Sequence, residues 1–213
     1  MTEHRIRNSI PNVFTGVRLF GGVVMFLMLV AAAGGAPFVS EYLSPEQQFA
    51  LYQWAFVIFA LSALTDWIDG YLARRWNAVS RWGAILDPIA DKILVAGGIV
   101  GILTSGTSAT VAIPLGLILF REFAVSALRE TTAGSISLPV TFLAKCKTAL
   151  QMTALGLQIF ILAASSPVGP MQDQNWVPQM HTFADVLVWL AAVATIWTGV
   201  EYFLIARRKM ITA

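Results

Sequence analysis

The sequence is poor in the residues that soluble proteins rely on. It has a single cysteine, Cys146, two histidines in 213 residues, and only 12% charged residues. One cysteine excludes an intramolecular disulfide, and a net charge of +2 is too small to indicate a nucleic-acid partner. Soluble domains carry about 25% charged residues. With 57% hydrophobic residues and a mean hydropathy of +0.70, the composition is that of a membrane protein.

Long apolar runs occupy most of the chain. A helix needs about 20 apolar residues to cross a hydrocarbon core of about 30 Å. Six segments meet this length: Val13–Ala33, Phe49–Leu72, Gly83–Thr104, Thr110–Leu128, Thr148–Ala164 and Thr182–Ile205. Breakers such as "GGAP" and "SSPVGP" separate them. The sequence therefore predicts an all-α integral membrane protein with six transmembrane helices in one domain, residues 13–213.

The basic residues predict the orientation of these helices. All fourteen Lys and Arg residues lie at the chain ends or near the 2–3 and 4–5 connections, and the opposite loops, 34–48, 105–109 and 165–181, contain none. By the positive-inside rule, both termini are predicted to be cytoplasmic. Residues 1–12, "MTEHRIRNSIPN", are too polar to span. They are expected to form a short amphipathic juxtamembrane helix on the inner leaflet, with a frayed basic tail as the alternative.

Four aspartates interrupt the apolar chain within 26 residues. Asp66 and Asp69 lie near the end of the second predicted span, and Asp87 and Asp91 lie at the start of the third. Residues three or four apart share one helical face, and the short connection makes the two spans antiparallel neighbours. We therefore expect the four carboxylates to converge just below the cytoplasmic surface. Pro88 is either the first helical residue, capped by the aspartate before it, or a kink inside a longer helix.

Close carboxylates in a partly dry site repel one another unless a cation compensates their charge. Because the cluster offers only oxygen ligands, it favours Mg²⁺ or Mn²⁺ over zinc. Two such ions about 3.5–4 Å apart would clamp the oxygens of a phosphoryl displacement. Gly70 and Ala73, on the face of the first pair, leave room for a ligand to approach the backbone. The competing interpretation is a solvated network in which the aspartates pair with Arg74, Arg75, Arg81 and Lys92.

The spacing of these residues resembles a known signature. The pattern Asp66-x2-Asp69-Gly70-x2-Ala73-Arg74-x8-Gly83-x3-Asp87-x3-Asp91 matches, position for position, that of the CDP-alcohol phosphatidyltransferase family. The six-span fold of that family, with its site on the cytoplasmic side, agrees with the topology predicted above.

The resemblance implies a role for each signature residue. Asp66, Asp69 and Asp87 would hold a two-metal centre, and Asp91 would be a further ligand or the general base that takes a proton from the incoming hydroxyl. Small residues would let the cytidine nucleotide lie against the backbone, and an arginine would face its diphosphate. These nucleotide-site residues are Gly70, Ala73, Gly83 and Arg74.

Basic residues on the fourth and fifth predicted spans are candidates for an acceptor site. Arg121 lies within a span, where an ionisable residue is a functional candidate, and Lys145 and Lys147 open the next span from the same side. Together they predict a basic pocket beside the metals that suits a phosphorylated acceptor. Pairing of Arg121 with a neighbouring acid, and ordinary positive-inside charge for the lysines, are the competing explanations.

Thr15 and Arg18 share one helical face at the start of the first span. Two explanations of Arg18 stay open. The side chain either contacts the phosphates or glycerol backbone of the lipid donor, or it snorkels to the membrane interface.

Three blocks resemble the family members whose acceptor is glycerol 3-phosphate: residues 10–19, residues 63–97, and the pair "REFAVSALRE" and "AKCKTALQM". The resemblance implies transfer of a phosphatidyl group from CDP-diacylglycerol to sn-glycerol 3-phosphate in a bacterial inner membrane, by a homodimer. The products would be phosphatidylglycerophosphate and CMP. The alternatives within the family are cardiolipin synthesis and transfer to inositol phosphate. A divalent-cation transporter is a remote alternative from another class.

Overall fold

The computed structural model describes residues 2–76, 81–131, 142–164 and 177–212. Within these ranges, the side chains of residues 2–12, 67, 69–76, 81–84, 131, 142–145 and 209–212 lie outside the description. The regular structure of the described residues is helical, with seven helices: α1 (Thr2–Ala32), α2 (Pro37–Ser40), α3 (Pro45–Trp76), α4 (Arg81–Thr104), α5 (Ala109–Thr131), α6 (Phe142–Ala164) and α7 (Val177–Thr212).

Each of the six predicted spans lies within one long helix, apart from residue 33, which follows the end of α1. Five helices contain a segment long and apolar enough to cross a membrane: Val13–Ala32, Pro45–Asp66, Ala109–Glu130, Cys146–Ala164 and Val177–Arg208. The prediction of an all-helical, multi-pass membrane protein is therefore confirmed. Over its described residues the third predicted span, in α4, does not meet this criterion, and it carries Asp87, Asp91 and Lys92. The six-span count and the cytoplasmic termini stay predictions.

The starts of two helices bear on the sequence predictions. α1 runs without a break from Thr2 to Ala32, so residues 2–12 continue the helix of the first span. Their place on the membrane surface stays a prediction. α4 begins at Arg81 and contains Pro88. The alternative in which the helix starts at Pro88 under a cap from Asp87 is therefore wrong.

The chain divides into two compact units. The first comprises Met1–Gly106 with Gln158–Val177, and the second comprises Thr107–Leu157 with Pro178–Ala213. The signature aspartates and the start of α1 belong to the first unit, whereas the predicted acceptor residues belong to the second. Different parts of the chain therefore build the two groups of predicted site residues.

In the first unit, glycine allows α1 to approach α4 closely. A Cβ added at Gly22 would lie 3.3 Å from the Leu94 Cα, and a Cβ added at Gly101 would lie 2.7 Å from the Leu29 Cβ. Even an alanine at these positions would push against the neighbouring helix. Close backbone approach through small residues is a common way to pack membrane helices, because lipid supplies no hydrophobic driving force between them.

The order of contacts gives the directions of the helices that meet α1. As residue numbers rise along α1, the contacting residues rise along α4 from Asp91 to Gly101, and fall along α3 from Asp66 to Ile58. α1 is therefore parallel to α4 and antiparallel to α3. Among the described residues, α1 packs along both α3 and α4, whereas α3 and α4 contact each other little. The aspartates of α3 and α4 meet at α1.

Candidate active site

Arg18 on α1 brings together three of the four signature aspartates. Its Nη1 atom donates to Asp66 Oδ1 on α3 and, at 2.7 Å, to Asp91 Oδ1 on α4. Its Nη2 atom lies 3.4 Å from Asp87 Oδ1. Because one nitrogen serves oxygens from two helices, those oxygens are at most about 6 Å apart. We call Asp66, Asp87, Asp91, Arg18 and Thr15 the carboxylate cluster.

The carboxylate cluster is closed on the side of α1. Thr15 lies one turn before Arg18, and its hydroxyl donates to Asp87 Oδ1. Thr15 and Arg18 are each 1% exposed, whereas the side chains of Asp66, Asp87 and Asp91 are 43%, 49% and 51% exposed. The two α1 residues therefore form a buried floor, and the carboxylates above it can be reached from outside the protein.

The structure tests some of the predictions that the sequence makes for this site. It places Asp66, Asp87 and Asp91 together, while their roles as metal ligands and base stay predictions. Arg18 is buried against carboxylates, so the snorkelling explanation is wrong. The alternative solvated network involves basic residues near the α3–α4 connection, and most of their side chains lie outside the description. The side chains behind another set of predicted roles also lie outside it: Asp69, Gly70, Ala73, Arg74 and Gly83.

The cluster has the chemistry of a divalent-cation site. Among the described side chains, no group of three or more His, Cys, Asp or Glu residues has metal-binding geometry. Instead, Asp66, Asp87 and Asp91 contact the guanidinium of Arg18. Their donor atoms are all carboxylate oxygens, the ligands that Mg²⁺ and Mn²⁺ prefer. The chemistry of these donors therefore suits a hard divalent ion, and the cation that they contact in this structure is Arg18.

A second polar cluster lies in the other unit, where Glu122 joins two cations. Lys147 Nζ on α6 donates to Glu122 Oε1, and Arg121 Nη1 lies 3.4 Å from the same oxygen. Arg121 Nη2 also donates to Thr198 Oγ1 on α7 at 2.9 Å. A Cβ on Gly199 would lie 3.0 Å from Arg121 Cγ, so this glycine leaves space for the arginine. We call Arg121, Glu122 and Lys147 the basic cluster.

The basic cluster contains the ion pair of the competing explanation of Arg121. The arginine pairs with a neighbouring acid, which was the competing explanation, and it also shares that acid with Lys147. The Lys145 side chain lies outside the described residues. Binding of an acceptor phosphate at Arg121, Lys145 and Lys147 stays a prediction.

Further polar residues lie one helical turn from members or partners of the basic cluster and were not predicted from the sequence. Gln151 lies one turn beyond Lys147 on α6, and Thr195 lies one turn before Thr198 on α7; both are buried. Arg121 Nε, Gln151 Oε1 and Thr195 Oγ1 have no hydrogen-bond partner in the described part of the chain. For Gln151, the available signal was a polar residue inside a span, four residues after the charged Lys147. Such unsatisfied atoms call for a ligand or water.

Comparison with known proteins gives the family. The sequence profile described as CDP-alcohol phosphatidyltransferase matches residues 8–197. The CDP-diacylglycerol–glycerol-3-phosphate 3-phosphatidyltransferase of Rickettsia bellii is 42% identical over 148 residues, which cover 69% of this chain and 75% of the relative. The Haemophilus influenzae protein of the same name is 35% identical, covering 73% and 78%. The Shigella flexneri protein is 37% identical, covering 74% and 80%.

This family generally depends on divalent metal ions, which agrees with the oxygen-only donor set of the carboxylate cluster. The matched segment contains both that cluster and the basic cluster. The chain belongs to the CDP-alcohol phosphatidyltransferase family.

Proposed function

We propose that this protein transfers the phosphatidyl group of CDP-diacylglycerol to the 1-hydroxyl of sn-glycerol 3-phosphate, which is the reaction of phosphatidylglycerophosphate synthases. The relatives named for this reaction support the proposal. The structural observation that carries it is the convergence of Asp66, Asp87 and Asp91 from two helices on one buried cation.

In this reaction the acceptor oxygen forms a bond to the phosphorus that carries diacylglycerol. The bond from that phosphorus to the bridging oxygen breaks, and CMP leaves with the bridging oxygen. We assign Asp91 as the base that accepts the proton of the acceptor hydroxyl. Its carboxylate is 51% exposed and therefore accessible to a substrate. The products are phosphatidylglycerophosphate and CMP.

The signature aspartates Asp66, Asp69, Asp87 and Asp91 would hold two divalent ions, Mg²⁺ or Mn²⁺. Bound there, such ions supply positive charge that stabilises the departing phosphate. Thr15 contributes by holding Asp87 through its hydroxyl, and with Arg18 it fixes the buried side of the cluster. We assign the donor nucleotide to the small residues and the arginine of the signature, Gly70, Ala73, Gly83 and Arg74, with Thr15 and Arg18 on the donor side.

We assign the acceptor phosphate to Arg121, Lys145 and Lys147. In the basic cluster one carboxylate serves two cations, so the group keeps a net positive charge that attracts a phosphate. Glu122 holds both cations in place, and the unsatisfied Nε of Arg121 can donate to a phosphate oxygen. Arginine suits this task because its fork of donors matches the geometry of a phosphate.

We place the enzyme in the bacterial inner membrane with its site on the cytoplasmic side, as a homodimer. This setting lets lipid tails enter from the bilayer, while the nucleotide and glycerol 3-phosphate come from the cytosol. The distribution of Lys and Arg supports the orientation.

CMP release tests the proposal directly. Detergent-purified protein is incubated with CDP-diacylglycerol, Mg²⁺ and one of three acceptors: glycerol 3-phosphate, inositol phosphate or phosphatidylglycerol. We expect glycerol 3-phosphate to give the highest kcat/KM. Preference for another acceptor would overturn the acceptor assignment, and no CMP release with any acceptor would overturn the transfer reaction itself.

A further inference from the structure

The position of Arg18 poses an electrostatic problem for any metal site at these aspartates. Arg18 is fully buried in a transmembrane helix, and its guanidinium contacts Oδ1 of Asp66, Asp87 and Asp91. Ionisable groups inside a membrane protein are paired because a lone buried charge is very unfavourable. The arginine and the carboxylates therefore stabilise each other when no other cation is present.

A divalent ion at this site would bind the same carboxylate groups. Hard cations bind carboxylate oxygens at about 2.0–2.6 Å, and the Oδ1 atoms already accept hydrogen bonds from Arg18 or Thr15. The carboxylates remain about half exposed, so the described residues do not enclose them. Among the described members of the carboxylate cluster, three carboxylates and one guanidinium, counted as fully ionised, leave two negative charges, which attract a divalent ion.

We propose that Arg18 is a built-in counter-cation of the carboxylate cluster, and that it competes with the divalent ion for the oxygens of Asp66, Asp87 and Asp91. Without metal, the guanidinium holds the aspartates of α3 and α4 against α1. As metal binds, Arg18 gives up part of its hydrogen bonds to these oxygens. This inference rests on the proposed function, because it takes the aspartates as metal ligands.

The test is a Mn²⁺ titration of the purified full-length protein in detergent without substrate, with free Mn²⁺ measured by electron paramagnetic resonance. Arg18→Gln removes the competing charge, so we expect its Kd for Mn²⁺ to fall about tenfold or more. Its melting temperature should be lower than that of the wild type without metal and should rise more on addition of Mn²⁺. Arg18→Lys keeps one charge but loses the fork of donors, and should give an intermediate Kd.

Lys92→Gln is the matched control. It also removes one positive charge from α4 of the same unit, and its side chain leaves the helix about 100° round from that of Asp91. If Arg18 acts by direct competition, Lys92→Gln should change the Kd less than about twofold. An equal gain of affinity in Lys92→Gln would overturn the proposal in favour of a general charge effect.

The remaining outcomes also discriminate. Unchanged or weaker Mn²⁺ binding in Arg18→Gln would overturn the proposed competition. If Arg18→Gln does not fold even with Mn²⁺, Arg18→Lys is used instead, and unchanged or weaker Mn²⁺ binding in that variant would overturn the competition. Such a result leaves the proposed function intact, provided that the wild type binds Mn²⁺ and transfers phosphatidyl groups. Binding by neither wild type nor variant contradicts both the competition and the metal part of the proposed function.

Discussion

The two polar clusters of this protein are electrostatic opposites. In the carboxylate cluster, one buried guanidinium is shared by three aspartates; in the basic cluster, one carboxylate is shared by an arginine and a lysine. The first keeps an excess of negative charge and the second an excess of positive charge. The first cluster therefore attracts cations such as a divalent ion, and the second attracts anions such as a phosphate. This difference is the reason for assigning the donor to the first cluster and the acceptor phosphate to the second in the proposed function.

The largest expected effect comes from the carboxylate cluster. Asp91→Asn removes the proposed base while keeping the size of the side chain, so kcat for CMP release should fall about 10²–10⁴-fold. Asp185→Asn, on α7 and outside both clusters, is the control with the same chemical change and should stay within about twofold of the wild type. The assignment fails if Asp91→Asn keeps normal turnover in a protein that elutes from gel filtration as the wild type does.

Substitutions in the basic cluster should raise the KM for the acceptor. Arg121→Ala removes a charged donor from the proposed phosphate site, so KM for glycerol 3-phosphate should rise about 10–100-fold, with a much smaller change for CDP-diacylglycerol. Arg207→Ala, an exposed arginine on α7, should leave both constants unchanged. Equal effects of Arg121→Ala on both substrates would remove the reason for assigning the acceptor to this cluster.

Helix packing gives a smaller effect, which tests how α1 is held against α4. Gly101→Ala forces a Cβ against Leu29, and such overpacking destabilises by about 1–3 kcal/mol. The melting temperature in detergent should therefore fall. Gly116→Ala on α5 meets nothing within 4 Å and should leave the melting temperature unchanged or slightly raised. Equal melting temperatures for the two variants would contradict the close approach of α1 and α4.

The helices and the aspartates were predictable from the sequence because both signals are local. An apolar run of about 20 residues indicates a spanning helix by length alone, and residues three or four apart share a face whatever packs against it. The position of Pro88 relative to the start of α4 was not predictable, since the sequence allowed both a helix start and an internal position. The structure places it inside α4.

The partner of Arg18 was not predictable, because it depends on how distant helices pack. The sequence placed Thr15 and Arg18 on one face of the first span, but not opposite Asp87 and Asp91. That arrangement requires α1 to lie against both α3 and α4 through close glycine contacts, and no local pattern specifies it. The same reason explains why Glu122 was seen as a neighbour of Arg121 but not as its link to Lys147.

The number of metal ions bound per chain shows whether the signature carboxylates form one cation site. The account predicts that the wild type binds two Mn²⁺ ions per chain, and that the double variant Asp66→Asn with Asp87→Asn, which removes one carboxylate from each of α3 and α4, binds fewer and binds them far more weakly. A folded double variant that binds Mn²⁺ with the stoichiometry and Kd of the wild type would contradict the claim that these carboxylates form one cation site.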